Sequence, residues 1–229
     1  MLQQTQVDRV IPKFSEFITR FPTIEALAGA SLSDVLIVWS GLGYNRRAKY
    51  LHEAAQKIVA DFCGTIPEEL NQLITLPGVG PNTAGAILAY SFNQPVPFIE
   101  TNIRTVYFHH FFADQQSVSD KELRDIIAKT VDHEHPREWY WVLMDYGAFL
   151  KKQGAGRLNQ AAGYRKQAPL KGSVREVRGM ILKALRAGEV SRRDLAAAMP
   201  ADDRFVQALD VLLSEGLIDQ TSNRLHLRR

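Results

Sequence analysis

The sequence predicts an almost wholly α-helical chain over the first 150 residues, closed by a small α+β segment. Three observations predict it. Apolar residues recur at three- and four-residue spacing in one segment after another. Ser residues stand where those segments would start, followed three residues later by Asp or Glu. Only "LIDQTSNRLHL", near the C-terminal end, offers two short extended runs around a polar turn. A chain of 229 residues with 45% apolar residues has room for one large or two small packed domains.

The elements follow in order. Val7, Val10, Ile11, Phe14, Phe17, Ile18 and Phe21 are spaced as one helix face, and no Ser, Thr or Asp caps the start. Ser31 with Asp34 and Ser119 with Glu122 read as capping boxes. Ala48, Leu51, Ala55, Ile58, Val59 and Phe62 make a further single-face stripe. About nine helices and almost no strand are expected before residue 150. Residues 151–172, "KKQGAGRLNQAAGYRKQAPLKG", have no sustained period and read as a basic linker. Beyond it lie three helices, on Val174 to Leu185, after Ser191 and on Phe205 to Leu213, and then a hairpin. That order resembles a winged helix. The expected division is therefore 1–112, 113–150, linker 151–172 and a winged-helix-like 173–229.

Composition narrows the function classes. No run of about 18 apolar residues is present and the first residues lack a signal-peptide layout, which points to a cytoplasmic, nucleoid-associated protein. The single Cys63 rules out disulfides within the chain and any cysteine-based zinc or iron–sulfur site. His109, His110, His133 and His135 have no acidic or Cys partners at ligand spacing, so no metal is expected. Trp139, Tyr140 and Trp141 read as packing residues. Net charge is only +3, yet residues 151–193 hold about a dozen Lys and Arg against Glu176 and Glu189. Phosphate attraction and a solvated linker both account for that run. The third helix of the winged-helix-like segment carries Asp202, Asp203, Asp210 and Glu215. Those acids argue against ordinary groove reading; DNA contact through the first helix or the wing, and a structural role, both remain open.

The most informative stretch is "LPGVGPNTAGAI", residues 76–87. Gly78, Val79 and Gly80 form a turn between two helices, and Pro81 suits the first position of the second helix. Glycine lets backbone approach a ligand closely. The amides opening the second helix, through Thr83, point where a phosphate oxygen can sit. Such a hairpin grips a DNA backbone without reading sequence.

The segments "MLQQTQVDRVIPKF", "GLGYNRRAKYLHEAA", "LPGVGPNTAGAI", "PVPFIETNIRTV" and "LMDYGAFL" occur in an order and spacing that resembles adenine DNA glycosylases of the MutY type. These belong to the helix-hairpin-helix base-excision superfamily. The resemblance covers residues 1–150 and implies two helical lobes that bind double-stranded DNA carrying a mismatched base. It implies a monofunctional enzyme, expected to be monomeric, that flips out adenine opposite guanine or 8-oxoguanine and hydrolyses its N-glycosidic bond. The family's carboxylate that stabilises the oxocarbenium-like sugar is an Asp; Glu100 stands there, with Asn102 two residues on. Glu100 could equally cap a helix starting at Thr101. Gln4 and Tyr44 match residues that wedge into the duplex, though ordinary helix and turn roles would also suit them. Leu2, Gln3 and Thr5 lie where the family lines its base pocket. Arg46 and Arg47 are expected to meet phosphates, or to be plain surface charge.

Several departures accompany the resemblance. The family's proton-donating Glu falls two residues before the Met of "MLQQT", so the chain is expected to be N-terminally truncated or a natural variant. Asn82 occupies the base-pocket position where bifunctional relatives carry a Schiff-base Lys. The four cysteines that usually follow "DYGA" are absent, so no [4Fe–4S] cofactor is expected. The domain that recognises 8-oxoguanine is replaced by the winged-helix-like segment. Two other functions compete: thymine or uracil excision within the same superfamily, and a DNA-binding protein without turnover.

Overall fold

The computed structural model describes residues 1–162 and 168–229. Helices form where the periodicity and caps place them: α1 (Val7–Arg20), α2 (Ile24–Ala28), α3 (Leu32–Trp39), α4 (Arg46–Phe62), α5 (Leu70–Leu73), α6 (Pro81–Phe92), α7 (Thr101–His110), α8 (Asp120–Thr130) and α9 (Pro136–Lys152). Ser31 Oγ accepts from the Asp34 amide at 3.1 Å, and Ser119 and Glu122 form a reciprocal box. Each such cap satisfies an otherwise unpaired first-turn amide, worth about 1 kcal/mol. The chain divides into two compact units, residues 1–66 with 168–229, and residues 67–167.

In the first unit the C-terminal segment folds as α10 (Val174–Leu185), β1 (Val190–Ser191), α11 (Arg192–Ala197), α12 (Arg204–Ser214), β2 (Ile218–Thr221) and β3 (Arg224–Leu227). The sheet order is β1-β3-β2, antiparallel throughout, with both Val190 and Gln220 opposite Leu225. The hairpin matches the sequence reading; β1 does not, because two residues are too few to show alternation. The winged segment has no separate interior. Val177, Ile181, Leu212, Leu217 and Leu225 belong to one apolar cluster with Phe17, Val35, Trp39 and Leu42. The expected division at 173 thus differs from the grouping of the folded chain.

Two stripes turn differently from expectation. On α1, Val10, Phe17 and Phe21 are buried, while Val7, Ile11, Phe14 and Ile18 face solvent. The three buried positions lie along one edge of the stripe and the four exposed ones along the other, so α1 packs by one edge of its apolar face. On α4, Leu51 and Val59 are exposed and His52 and Ala54 are buried instead. His52 is accommodated because its Nε2 meets the Ala30 carbonyl at 2.9 Å.

The second unit is built round α7 and α9. Phe98, Tyr107, Phe108, Leu123, Ile127 and Tyr140 are fully or nearly fully buried. Gly147 is what lets α9 approach α7: a Cβ there would lie 2.2 Å from the Asn102 carbonyl oxygen. Trp141 departs from the packing role read for it and is 52% exposed, while its neighbour Tyr140 is buried. After α9 the chain is pinned beside residue 118. Val118 donates to the Gln160 carbonyl at 2.8 Å, and Ala162 donates to the Val118 carbonyl at 3.0 Å. Part of the stretch read as linker is therefore packed; residues 163–167 lie outside the described residues.

Candidate active site

Two clusters gather the predicted site residues, one in each unit. Unit two holds Gly78, Val79, Gly80, Asn82, Thr83, Glu100 and Asn102, and unit one holds Leu2, Gln3, Gln4, Thr5, Tyr44, Arg46 and Arg47.

In unit two, α5 and α6 are joined by the glycine turn. Gly78 adopts φ +73°, which glycine accepts at little cost, and the Val79 amide closes the turn on the Leu76 carbonyl at 3.1 Å. Gly80 is the N-cap of α6 with no side-chain hydrogen bond, and Pro81 takes the first position. Its N-cap residue thus contributes no side-chain bond to the first-turn amides of α6, the kind of helix start at which an anion can be bound.

Glu100 ends the extended segment before α7. Its Oε2 accepts from the Asn102 amide at 2.5 Å, so it does cap the helix. Capping fixes the carboxylate at the positive end of α7, where negative charge is favoured. The capping role and a role in stabilising a cation are therefore compatible. Asn102 donates from Nδ2 toward Met144 Sδ at 3.9 Å, and its backbone is the surface against which Gly147 packs. Tyr90 lies close enough that burial, with a smaller contribution from the Glu100 charge, pushes its hydroxyl up to about 12. It stays a neutral donor at any ordinary pH.

Asn82 serves the backbone. Its Oδ1 accepts from the Ile99 amide at 3.1 Å and from Arg124 Nη2 at 3.0 Å, while Arg124 Nη1 donates to the Pro97 carbonyl at 2.9 Å. Asn82 and Arg124 together brace residues 97–99, immediately before Glu100. Arg124 lies 42 residues from Asn82, and nothing in the sequence marks it.

In unit one, residues 1–5 are not helical; Thr5 donates back to the Leu2 carbonyl at 3.3 Å and α1 starts at Val7. Arg47 organises this turn. Nη1 donates to the carbonyls of Met1 at 2.8 Å and Gln3 at 2.6 Å. Nη2 donates to Thr5 Oγ1 at 3.0 Å and to the carbonyls of Leu42 at 3.2 Å and Gly43 at 3.1 Å. Its guanidinium also lies 5.3 Å from the Trp39 ring and 5.5 Å from the Tyr44 ring. The donors expected to meet phosphates are therefore spent inside the protein, because only a planar five-donor fork reaches so many acceptors. Burial lowers the guanidinium's pKa, which still leaves it charged. Arg46 remains half exposed, bonded to Tyr50 Oη at 2.6 Å and 3.8 Å from Glu215.

Gln4 and Tyr44 share a feature that spacing does not reveal. Both are non-glycine residues with left-handed backbone, φ +56° and +48°, and both are exposed. Such conformations cost on the order of 1 kcal/mol or more and persist where the surroundings hold them. Here Arg47 does the holding.

The glycine hairpin, the capped carboxylate and the two strained turns all lie within one stretch of sequence that a family model matches. Residues 1–132 match the HhH-GPD superfamily base excision DNA repair protein family. The chain belongs to this family, and it is a DNA glycosylase. The adenine DNA glycosylase of Mycobacterium tuberculosis is 36% identical over 243 residues, covering 96% of this chain and 80% of that protein. That of Homo sapiens is 38% identical over 154 residues, 65% of this chain and 28% of that protein. Among solved structures, a thermostable thymine-DNA glycosylase superposes with a TM-score of 0.56 at 22% identity, covering 64% of this chain and 69% of that one. A trapped endonuclease III–DNA covalent intermediate gives 0.55 at 19%, covering 65% and 68%.

The family's iron–sulfur cluster does not fit the residues present. Four thiolates are needed, and the chain has one cysteine, the exposed Cys63 of unit one.

Proposed function

We propose that the chain excises adenine mispaired with guanine or 8-oxoguanine in double-stranded DNA, by hydrolysis and without strand cleavage. The observation that carries this reading is Glu100, held by its own helix cap and by the Asn82–Arg124 brace. A fixed carboxylate stabilises the positive charge that develops on the sugar as the base departs, and needs no reorganisation during the reaction. The glycine turn and the start of α6 bind backbone phosphate. Gln4 and Tyr44 fill the space left by the flipped nucleotide, and Leu2, Gln3 and Thr5 line the base pocket. No residue among those described is assigned as proton donor to the leaving purine. Monofunctional hydrolysis is supported by Asn82, whose amide cannot form a Schiff base and is engaged with Ile99 and Arg124. The relatives named adenine DNA glycosylase support the choice of base.

A single-turnover excision assay tests this reading. It uses duplexes with A opposite 8-oxoguanine, A opposite G, T opposite G and U opposite G, each with and without alkali. The chain is compared with itself extended by its gene's preceding codons. Adenine release with alkali-dependent breakage is expected; release of T or U alone, or no release while the duplexes are bound, overturns it.

A further inference from the structure

The winged segment meets α3 and α4 through apolar residues, yet cations crowd the edge of that contact. Arg186, the C-cap of α10, donates from Nη1 to Ser40 Oγ at 2.7 Å, one residue before the turn that carries Tyr44, and Arg9 of α1 donates to the carbonyl of Gly41 in that turn. Arg178 of α10 pairs with Glu215, which also lies 3.8 Å from Arg46, while Lys49 Nζ donates to the Glu215 carbonyl at 2.5 Å. Arg228 after β3 stands beside Lys49: a Cβ at Gly216 would meet Arg228 Nη1 at 2.5 Å and Lys49 Nζ at 3.1 Å.

Three carboxylates oppose these six cations. Glu215 faces Arg178 and Arg46, Glu53 lies 3.6 Å from Lys49, and Asp219 lies 4.0 Å from Arg228. Of the four acids that argued against DNA contact, Glu215 is turned inward, its side chain only 14% exposed, and Asp202 pairs with Arg204 at 2.7 Å, while Asp203 and Asp210 stay exposed; the side chains of Arg46 and Arg228 are 54% and 52% exposed. Exposed ion pairs add little to stability. The shared core of Trp39, Ile181, Leu212 and Leu225 already supplies the cohesion. An outward surplus of positive charge around a turn read as a duplex wedge attracts phosphate.

We propose that the winged segment is a second DNA-backbone contact of this glycosylase. Arg178, Arg186 and Arg228 complete, with Arg9, Arg46 and Lys49, a cationic rim that takes the phosphates of the duplex beside the Tyr44 turn. The usual reading helix, α12, does not enter a groove. Its acid organises the rim from behind, while α10 and the end of β3 present the charge. The inference rests on the proposed duplex substrate but not on which base is excised.

The test is the salt dependence of duplex binding by fluorescence anisotropy, from 50 to 200 mM KCl. Wild type is compared with Arg186→Gln, Arg228→Gln, their double variant and Arg20→Gln. The last removes a charge that pairs with Asp34 at 3.5 Å, away from the rim. Each rim substitution is expected to lower the slope of log affinity against log salt by about 0.9. Binding at the low-salt end should weaken correspondingly, whichever pair the duplex carries. Arg20→Gln leaves the slope unchanged, and Arg186→Lys restores it, because phosphate attraction needs the charge and not the fork. Thermal melts establish that each variant is folded. An unchanged slope in a folded double variant overturns the proposal whether or not adenine is released. A reduced slope with no base released upholds the rim and overturns adenine excision.

Discussion

The two site clusters are held by opposite strategies. In the second unit the carboxylate is fixed with ordinary conformations: Glu100 is an extended N-cap, and Asn82 and Arg124 brace residues 97–99 before it through three hydrogen bonds at 2.9–3.1 Å. In the first unit the proposed wedges Gln4 and Tyr44 sit in left-handed backbone, and one guanidinium gathers both turns. A group that must meet a developing charge gains from a low-energy frame that does not move. A group that must push into a stack gains from a turn that presents its side chain outward, and the cost of that turn falls on its anchor.

The largest expected effect follows from that asymmetry. Arg47→Met keeps the apolar stem against Trp39 but removes every donor to residues 1, 3, 5, 42 and 43. Loss of these bonds should cost roughly 2–4 kcal/mol, several times a single hydrogen bond because the carbonyls are left partly buried. Chemical denaturation would show it, and amide exchange should rise in residues 2–5 and 41–44 while the second unit keeps its protection. Arg47→Lys rescues little, since one ammonium cannot span the acceptors. Uniform loss of protection across both units would refute the idea of a local anchor.

Breaking the brace in the second unit should act on chemistry more than on stability. Arg124→Met leaves the Asn82–Ile99 bond but frees the Pro97 carbonyl. The single-turnover excision rate is expected to fall about five- to tenfold, the equivalent of roughly 1 kcal/mol from one bond. Duplex affinity should hardly change. A loss of affinity with an unchanged rate would place Arg124 in binding and remove it from the support of Glu100.

Much of the second cluster was legible in the sequence because its signals are local. The glycine turn lies within "LPGVGP", and Glu100 stands two residues before the amide that it caps. Arg124 was not legible, since its acceptors are a carbonyl and an amide oxygen 27 and 42 residues away. The first cluster was half legible. Gln4 and Tyr44 could be singled out by resemblance, but backbone sign is invisible in residue type unless glycine declares it, as Gly41 and Gly43 do beside Tyr44. The shared core of the opening helices and the winged segment was likewise hidden, because apolar periodicity says which face is buried and not against what.

The smallest effect separates strain from function most directly. Gln4 is exposed at φ +56°, so Gln4→Gly relieves a conformation that glutamine adopts at a cost. Relief of strain and the greater unfolded-chain entropy of glycine oppose each other, leaving an expected gain of a few tenths of a kcal/mol, up to about 1. The same change deletes the side chain proposed to fill the gap behind a flipped base, so excision should slow while the fold melts slightly later. If Gln4→Gly instead lowers the melting temperature, the glutamine contributes contacts that stabilise the turn. The left-handed residue would then be part of the anchor that Arg47 makes, and the proposed contrast between anchor and wedge would fail at this position.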